Sequence, residues 1–315
     1  MSELLIRRAN RNDLPGIIEI FRICLRETGN PPSMEFWKWK HLDNPFGESP
    51  VLLALVNDQI VGLRAFLSWN WVVNGRIFQS YRAVDTATHP DWQRKGIFST
   101  LTSRLLNELW EEDPKVFIFN TPNEKSKPGY LKMGWQVLGK PYVNAFFYPF
   151  SRKSDSMLSS AELLLQQTDF DSFKLAASPN HKITTLTTPE YLDWRYKQIP
   201  DRKYGAWIYE GKQNVFFIFY LRKRKRFTEL RVADYFVMEG SLTMTERRKA
   251  FYALAKQFGT YVVTTLWPRK TIFNSVLEKS IPDVTLRLPD DAESKLPGFA
   301  DIGHWDFAMG SLELF

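Results

Sequence analysis

The amino-acid sequence predicts an α+β fold of two modules, each a mixed, twisted β-sheet flanked by helices. Three observations support this prediction. A chain of 315 residues is long for one domain and comfortable for two. Runs rich in β-branched and aromatic residues, joined by turn signals, alternate with stretches of helical periodicity. The order of these elements recurs in the second half of the chain.

The two halves also share anchor residues at a constant offset. These are Glu35, Trp39 and Pro45 in the first half, and Glu190, Trp194 and Pro200 in the second. We therefore expect a first module over residues 1–150, a connecting segment over 151–168 and a second module over 169–315.

In the first module the pattern predicts a strand, a helix and then two hairpins. The helix is expected to start at a cap on Asn12 or Asp13. Asn57-Asp58 and Asn74-Gly75 are the two turn signals, and the second is the stronger. The expected strands are residues 4–6, 51–56, 60–68, 69–73, 76–81, 83–88 and 116–120, and a strand pair is expected between Trp135 and Pro149. In the second module we expect a strand over 229–238, a helix over 244–258 and a strand over 261–267.

Charge and cysteine content restrict the class of protein. The net charge of +7 suits an anionic cofactor, nucleic acid, or acidic glycans and lipids, and does not choose among them. The one cysteine, Cys24, excludes a disulfide framework within the chain, which suits a reducing cytosol. It lies in an apolar run, so a buried helix cysteine is a better interpretation than a catalytic thiol.

The chain has no apolar run approaching the roughly 20 residues that span a bilayer. Its N-terminus lacks the apolar core of a signal peptide. We therefore expect no transmembrane segment and a cytoplasmic location. The four histidines show no metal-ligand spacing, so no metal is expected.

The stretch from Tyr81 to Leu109 carries the first chemical signal. A short strand ends at His89-Pro90, and a loop of hydrogen-bond donors, Gln93–Gly96, follows it. A helix then begins at Ile97, with apolar residues at every fourth position. The free N–H groups and the dipole of a helix N-terminus favour anions, and a glycine lets the backbone come close to them. The stretch therefore predicts an anion-binding site.

Two motifs also resemble those of the GNAT acetyltransferases. Gln93-Arg94-Lys95-Gly96-Ile97-Phe98 resembles their coenzyme A loop, Gln/Arg-x-x-Gly-x-Gly/Ala, with Phe98 at a position where the family has a small residue. Asn123-x-x-Ser126-x-x-x-Tyr130-x-Lys132-x-Gly134-Trp135 resembles the GNAT segment Asn-x-x-Ala/Ser-x-x-x-Tyr-x-Lys-x-Gly-Phe/Trp. Both motifs stand in the family's order, so the chain resembles a GNAT N-acetyltransferase in a tandem, two-module form.

The resemblance implies acetyl-coenzyme A as the acyl donor. Backbone N–H groups of the loop would bind its pyrophosphate, Asn123 its pantetheine arm, and those of Thr86, Ala87 and Thr88 the developing oxyanion. Tyr130 would protonate the leaving thiolate. The alternative for Tyr130 is a core tyrosine. The expected cofactor-binding residues are Thr86, Ala87, Thr88, Gln93, Arg94, Lys95, Gly96, Ile97, Phe98, Ser99, Asn123, Ser126 and Tyr130.

Asp85 is the candidate general base, because it lies in the strand before the loop. Partial desolvation beside a pocket would raise its pKa toward a useful range. The alternative is that Asp85 caps a turn or pairs with Arg82 or Arg64.

Phe36, Trp37 and Trp39 could line an acceptor site, because flat rings stack on sugar faces. Their alternative role is core packing. The expected acceptor is a primary amine, an amino sugar or polysaccharide precursor among others, with aminoglycosides, peptide N-termini and polyamines left open. The rival function is a non-catalytic module that binds coenzyme A or glycan, and nucleic acid is not expected.

The second module is expected to be degenerate. Its strand and helix are joined by Glu239-Gly240-Ser241-Leu242, which has no basic donor. Pro268 is followed eight residues later by Val276, where the first module has Pro122 and Tyr130. A basic run, residues 222–226, is expected at a hairpin tip, either solvated or in contact with an anionic glycan, nucleotide or membrane surface.

Overall fold

The computed structural model describes residues 3–25, 31–148, 155–172, 181–225, 227–238, 240–267 and 282–312. It contains two compact units. The first comprises Met1–Val72, Arg76–Gly139 and Asp283–Ile302, and the second comprises Val73–Gly75, Lys140–Pro282 and Gly303–Phe315. Within the described ranges, no helix is long and apolar enough to span a membrane.

The strands, in chain order, are β1 (Leu5–Arg8), β2 (Val51–Val56), β3 (Gln59–Val73), β4 (Arg76–Thr88), β5 (Phe117–Asn120), β6 (Gln136–Gly139), β7 (Tyr142–Phe147), β8 (Thr184–Thr185), β9 (Gly205–Tyr209), β10 (Val215–Lys223), β11 (Thr228–Val237), β12 (Val262–Trp267) and β13 (Val284–Arg287). The helices are α1 (Leu14–Leu25), α2 (Met34–His41), α3 (Ile97–Glu112), α4 (Lys127–Lys132), α5 (Asp155–Gln167), α6 (Pro189–Leu192), α7 (Met244–Gln257), α8 (Ala292–Lys295) and α9 (Met309–Leu312). A π-helical segment, Asp193–Lys197, continues α6.

The sheet of the first unit has the strand order β1-β2-β3-β4-β5-β13-β6. It is mixed, because β1 and β2 are antiparallel whereas β4 and β5 are parallel. Helix α3 connects β4 to β5 and buries the predicted stripe of Ile97, Leu101, Leu105 and Leu109 in the core. Helix α1 belongs to a second hydrophobic cluster with β2 and β3. The predicted α+β architecture is confirmed for this unit.

The long hairpin of β3 and β4 differs from the sequence prediction. We expected breaks near residues 68 and 82, but β3 and β4 continue through them for 15 and 13 residues. The serines in these strands do not end them, because their hydroxyls donate hydrogen bonds to backbone carbonyls. Ser68 Oγ donates to the Glu48 carbonyl at 3.0 Å, and Ser80 Oγ donates to the Trp69 carbonyl at 3.0 Å.

The cap before α1 also lies earlier than expected. The Asn10 side chain accepts a hydrogen bond from the backbone of Asn12, and the Asp13 side chain accepts one from the backbone of Asn10. This capping box starts a 3₁₀ turn, Arg11–Asp13, that leads into α1. The turn explains why a helix cap placed at Asn12 or Asp13 was wrong.

The second unit repeats the order of elements. Its sheet runs β7-β12-β11-β10-β9, and β11 pairs in parallel with β12 across helix α7. The predicted strand–helix–strand order is therefore confirmed, with boundaries shifted by one residue. Thr243 and Glu246 form the expected capping box, and Gly259 follows the helix with φ +53°. Glu239 and residues 268–276 lie outside the described residues.

Three segments belong to a different sheet or unit from the one that the expected division of the chain gave them. Strands β6 and β7, expected as a pair, belong to different sheets. Strand β13 lies in the first sheet between β5 and β6, although residues 169–315 were expected to form one module. Helix α5, expected within the connecting segment, packs on β9 of the second unit and buries Leu165 fully. Such long-range pairings leave no local sequence signal.

Candidate active site

The loop between β4 and α3 has the geometry of an anion-binding site. Gly96 is the N-terminal cap of α3 and has φ +81°. Because glycine has no side chain, no side-chain hydrogen bond caps this helix. The first turn of α3 contains no acidic residue. Arg94 also has a left-handed backbone, with φ +62°. Backbone N–H groups at such a loop and helix start, together with the helix dipole, favour an anion.

The side chains of this loop divide between solvent and local contacts. Gln93, Arg94 and Lys95 are exposed. The Lys95 ammonium lies 4.3 Å from the centroid of the Trp92 ring, a cation–π contact. Ser99 Oγ donates a 2.8 Å hydrogen bond to the Gly96 carbonyl, which fixes the first turn. The loop therefore offers backbone donors with positive charge at its edge.

Close packing between β3 and α3 fixes the position of this helix start. Ile97 is buried, and Gly62 of β3 lies opposite it. A Cβ on Gly62 would lie 2.4 Å from Ile97 Cγ2, which is closer than carbon atoms can approach. Glycine at position 62 thus lets α3 approach the sheet closely.

Tyr130 lies on the short helix α4 and is buried, with 3% of its surface exposed. Its hydroxyl accepts a 2.7 Å hydrogen bond from Nη2 of Arg64 on β3. Pro128 lies in the first turn of α4, where proline is tolerated. The helix is short, spanning only Lys127–Lys132.

Asn123 and Ser126 are engaged with each other in the turn before α4. Oδ1 of Asn123 accepts hydrogen bonds from the backbone of Lys125 and Ser126, at 3.0 and 2.9 Å, and from Ser126 Oγ at 3.1 Å. The Asn123 oxygen is therefore used locally, and its exposed amide group remains the part that could contact a pantetheine arm.

Asp85 has charged neighbours that the sequence analysis did not foresee. Its Oδ2 lies 2.6 Å from the Lys40 ammonium and 2.8 Å from Nε2 of His41. Of the expected alternative partners, Arg82 donates a 3.0 Å hydrogen bond to Thr121 Oγ1 and Arg64 donates to the Tyr130 hydroxyl. Asp85 also has φ +39°, a left-handed conformation inside β4 that is rare outside glycine.

The pKa of Asp85 is shifted opposite to the expectation. Burial raises it, but the Lys40 ammonium and the His41 hydrogen bond outweigh burial and hold the pKa well below its usual range. The argument that desolvation makes Asp85 a stronger base is therefore wrong. Desolvation lowers the pKa of the fully buried His41 despite the nearby carboxylate. His41 is thus held neutral and Asp85 ionised.

The predicted aromatic acceptor residues lie on α2 and are mostly buried. Trp37 and Trp39 are 3% and 4% exposed, and Phe36 is half-buried with its ring 5.3 Å from that of Trp39. Trp37 and His41 also line a cavity of about 470 Å³, which does not include the loop residues 93–99 or Tyr130. Core packing therefore accounts for most of the indole surface, with Trp37 and His41 facing the cavity as well.

The segment Thr86, Ala87 and Thr88 joins Asp85 to the loop. Thr86 Oγ1 donates to the Leu63 carbonyl at 3.1 Å, and Ala87 is buried against α1. The Thr88 carbonyl accepts from Cys24 Sγ at 3.3 Å and Gln93 Nε2 at 3.4 Å. Cys24 is half-buried and burial raises the pKa of its thiol, which disfavours a nucleophilic role.

Sequence reasoning missed Lys40 and His41, and it named Arg64 only as an alternative partner of Asp85. A signal for Arg64 was present, because it is the one charged residue in the run Ile60–Leu67. A charge at the centre of an otherwise apolar strand is costly to bury and indicates a specific partner. Lys40 and His41 gave no comparable signal, because the sequence of α2 contains several charged residues and one more lysine or histidine does not stand out.

The sequence of residues 5–138 matches the family described as acetyltransferase (GNAT) domain. A comparison with curated proteins finds no match. Solved structures with the same fold include a conserved protein of unknown function from Enterococcus faecalis V583, which is 9% identical with a TM-score of 0.61 over 92% of this chain and 73% of that one.

A GCN5-related N-acetyltransferase from Anabaena variabilis ATCC 29413 is 13% identical, with a TM-score of 0.61 over 93% of this chain and 74% of that one. Eis1 from Mycobacterium abscessus is 13% identical, with a TM-score of 0.54 over 91% of this chain and 74% of that one. These likenesses show a shared fold over 91% to 93% of this chain.

Proposed function

Residues 5–138 match the acetyltransferase (GNAT) domain family, and from that premise we propose that this chain moves an acetyl or other small acyl group from acyl-coenzyme A directly to a primary amine. It is thus an acyl-coenzyme A-dependent N-acyltransferase. The proposal covers the direct route of transfer, the roles of the residues below and the class of acceptor.

The observation that carries the proposal is the open N-terminus of α3. Gly96 leaves the first turn without a side-chain cap, and Arg94 and Lys95 stand exposed at its edge. This donor set fits the pyrophosphate of coenzyme A, which needs close backbone N–H groups and compensating positive charge. Residues 93–99 would hold that group, and the amide of Asn123 would contact the pantetheine arm.

The reaction forms a C–N bond, breaks the C–S bond of the donor, removes one proton from the amine and adds one to the sulfur. We assign the proton that reaches the sulfur to the Tyr130 hydroxyl. Backbone N–H groups of Thr86, Ala87 and Thr88 are assigned to the carbonyl oxygen, where negative charge develops. The left-handed turn at Asp85 supports this assignment, because it interrupts the regular strand just before these residues.

Asp85 takes a different role from the one its position first suggested. A carboxylate with a lowered pKa is a weak base, so we assign Asp85 to binding and orienting the acceptor amine. Oδ2 is occupied by Lys40 and His41, and a quarter of the side chain remains exposed for such a contact. The proton of the amine would then leave through solvent.

The acceptor class is proposed from the surroundings of α2. Phe36 is a half-buried ring, and Trp37 and His41 line the adjoining cavity. Rings beside charged groups suit a polar acceptor with flat faces, so we propose a small-molecule amine of the amino-sugar type.

A thiol-release screen tests the function. The chain is incubated with acetyl-coenzyme A and a panel of amino sugars, aminoglycosides, polyamines and peptides, and free coenzyme A is measured. We expect amine-dependent release that Tyr130→Phe reduces. Binding of acetyl-coenzyme A without release for any acceptor would favour the non-catalytic binding module, and absence of binding would contradict both.

A further inference from the structure

Arg64 is a buried cation without a carboxylate partner. Its residue surface is fully buried, and no acidic side chain in the described ranges pairs with it. Its Nε and Nη1 also lack hydrogen-bond partners within those ranges. Burying a guanidinium in this way is costly, so its retention needs an explanation beyond packing.

Three aromatic rings surround this guanidinium. Its central carbon lies 4.9 Å from the Phe66 ring, 5.5 Å from the Phe98 ring and 5.3 Å from the Tyr130 ring. Cation–π contacts of this kind offset part of the desolvation of a buried cation. We call Phe66, Phe98 and Tyr130 the aromatic cage of Arg64.

The cage accounts for the bulky residue in the coenzyme A loop. The Phe98 ring meets the Tyr130 ring edge-on, at 5.5 Å and 85°. It also lies beside Gly129, where a Cβ would be 3.5 Å from Phe98 Cε1. A glycine or alanine at position 98 would leave this wall of the cage open. Phe98 therefore belongs to a set of residues organised around Arg64 and Tyr130.

The hydrogen bond from Arg64 has two consequences for the Tyr130 hydroxyl. Because the oxygen accepts from Nη2, its own proton must point away from Arg64 and can be donated elsewhere. When the hydroxyl gives up that proton, the negative charge forms 2.7 Å from a guanidinium nitrogen. A charge-assisted hydrogen bond stabilises that charge more than the neutral hydroxyl.

We propose that Arg64 is a positioning residue that orients Tyr130 and stabilises it as it donates a proton to the leaving sulfur, and that Phe98 holds Arg64 in place. The proposal rests on the proposed role of Tyr130 as the acid. In each turnover the O–H bond of Tyr130 breaks and an S–H bond forms. Arg64 keeps its protons, and Tyr130 regains its own from solvent.

A double-mutant cycle on kcat tests this proposal. The variants are Arg64→Met, Tyr130→Phe and the two combined, with Arg64→Lys as the conservative variant. We expect Arg64→Met to lower kcat by about 10- to 100-fold and to change KM for acetyl-coenzyme A by less than about threefold. In the Tyr130→Phe background the same substitution should change kcat by less than about twofold, because the hydroxyl through which Arg64 acts is gone. Arg64→Lys should recover part of the loss.

The outcomes distinguish a failure of the role of Arg64 from a failure of the role of Tyr130 as the acid. If Tyr130→Phe is slow and Arg64→Met lowers kcat equally in both backgrounds, Arg64 has only a structural role and this inference is overturned. If Tyr130→Phe retains full turnover, the acid assignment fails, and this inference with it. Circular dichroism and melting temperature establish that each variant is folded. Should Arg64→Met not fold, Arg64→Lys and Phe98→Leu are carried through the same cycle with the same criteria.

Discussion

Tyr196 donates a hydrogen bond to the carboxylate of Asp234 in the second unit, as His41 contacts Asp85 in the first. Each carboxylate lies on the strand that leads, through a helix, to a parallel neighbour. Tyr196 follows Arg195 in the sequence, as His41 follows Lys40. The offset between these two pairs equals the offset between the repeated anchor residues of the two halves. Both units therefore keep one helix-to-strand contact.

The two carboxylates nevertheless have opposite electrostatics. Lys40 pairs with Asp85, whereas Arg195 donates to the Tyr204 hydroxyl at 2.9 Å and to the Gly310 carbonyl at 3.1 Å. Burial and the nearby Asp306 raise the pKa of Asp234 to about 7, although Tyr196 and Arg195 oppose the shift. The raised carboxyl pKa thus occurs at Asp234 of the second unit and not at Asp85 of the first.

The Asp234 shift predicts a pH dependence of stability. A carboxyl whose pKa is raised on folding stabilises the protein fully below its unfolded pKa of about 4, and this contribution is lost as pH rises through about 7. We expect Asp234→Asn to lie within about 1 kcal/mol of wild type at pH 4.5 and to unfold with a free energy about 2–4 kcal/mol higher above pH 8. Chemical denaturation of the full chain between pH 4.5 and 8.5 measures this.

Asp306 extends that series to a second carboxyl of the same unit. Burial also raises the pKa of Asp306, so Asp306→Asn should alter the pH dependence in the same direction. The double variant should lose the part of the pH dependence that these two carboxyls contribute. Wild-type and Asp234→Asn curves that run parallel from pH 4.5 to 8.5 would show that Asp234 does not titrate as described.

Asp85→Asn separates amine binding from base catalysis. If Asp85 orients the acceptor amine, its replacement should raise KM for the acceptor by about tenfold and lower kcat by less than about tenfold. Loss of a general base would instead lower kcat by about 10²- to 10⁴-fold. Steady-state kinetics with a saturating acyl donor distinguish the two results.

The same substitution leaves the Lys40 ammonium buried without its carboxylate. We expect a destabilisation of about 1–3 kcal/mol, less than for a fully buried pair because Asp85 is partly exposed. Lys40→Met combined with Asp85→Asn removes the orphaned charge and should recover most of the stability. A double variant less stable than Asp85→Asn would contradict the ion-pair explanation.

Gly62→Ala should displace the start of α3. The added methyl would lie 2.4 Å from Ile97 Cγ2 and 3.2 Å from Ala54 Cβ. We expect a loss of about 1–3 kcal/mol in the free energy of unfolding, together with weaker binding of acetyl-coenzyme A. Thermal denaturation and calorimetry measure the two effects.

Two further variants test that interpretation. Gly129→Ala, whose methyl would meet Phe98 at an ordinary 3.5 Å within helix α4, should not lower the free energy of unfolding by more than about 0.5 kcal/mol. Adding Ile97→Ala to Gly62→Ala removes the clashing atom, so the losses of the single variants should not add. Strict additivity would locate the strain elsewhere.

Arg94→Gln/Lys95→Gln tests the charge at the edge of the proposed coenzyme A loop. Removal of two exposed cations should weaken acetyl-coenzyme A binding by about tenfold at low salt and by less at high salt, where screening already reduces their effect. Arg222→Gln, an exposed arginine in the second unit, is the control and should not change the affinity. An unchanged Kd in the double variant would assign binding to the backbone alone.

Periodicity and turn chemistry predicted much of the fold. The apolar stripe of α3 is buried as expected, and the Thr243–Glu246 capping box lies at the start of α7. Both depend on interactions within a few residues of the chain, which sequence patterns report directly. The continuity of β3 and β4 was missed because satisfied polar residues in a strand resemble breaks.

Motifs predicted the loop and Tyr130 as candidate site residues, but they did not predict the partners of these residues. Arg64 reaches Tyr130 across 66 positions and Lys40 reaches Asp85 across 45. The insertion of β13 between β5 and β6 is likewise a long-range pairing. Contacts of this kind follow from the closed fold, and the pKa of Asp85 could not be given the right sign without them.

The central claim is that residues 93–99 at the start of α3 hold the acyl donor. Calorimetry with acetyl-coenzyme A tests it on wild type, Gly96→Val and Gly75→Val. Both glycines have left-handed backbones, with φ +81° and +73°, so both substitutions strain the chain, but only Gly96 caps α3. We predict one binding site per chain, at least tenfold weaker in Gly96→Val and unchanged in Gly75→Val. Wild-type affinity in Gly96→Val, or no binding to the wild-type chain, would contradict the claim.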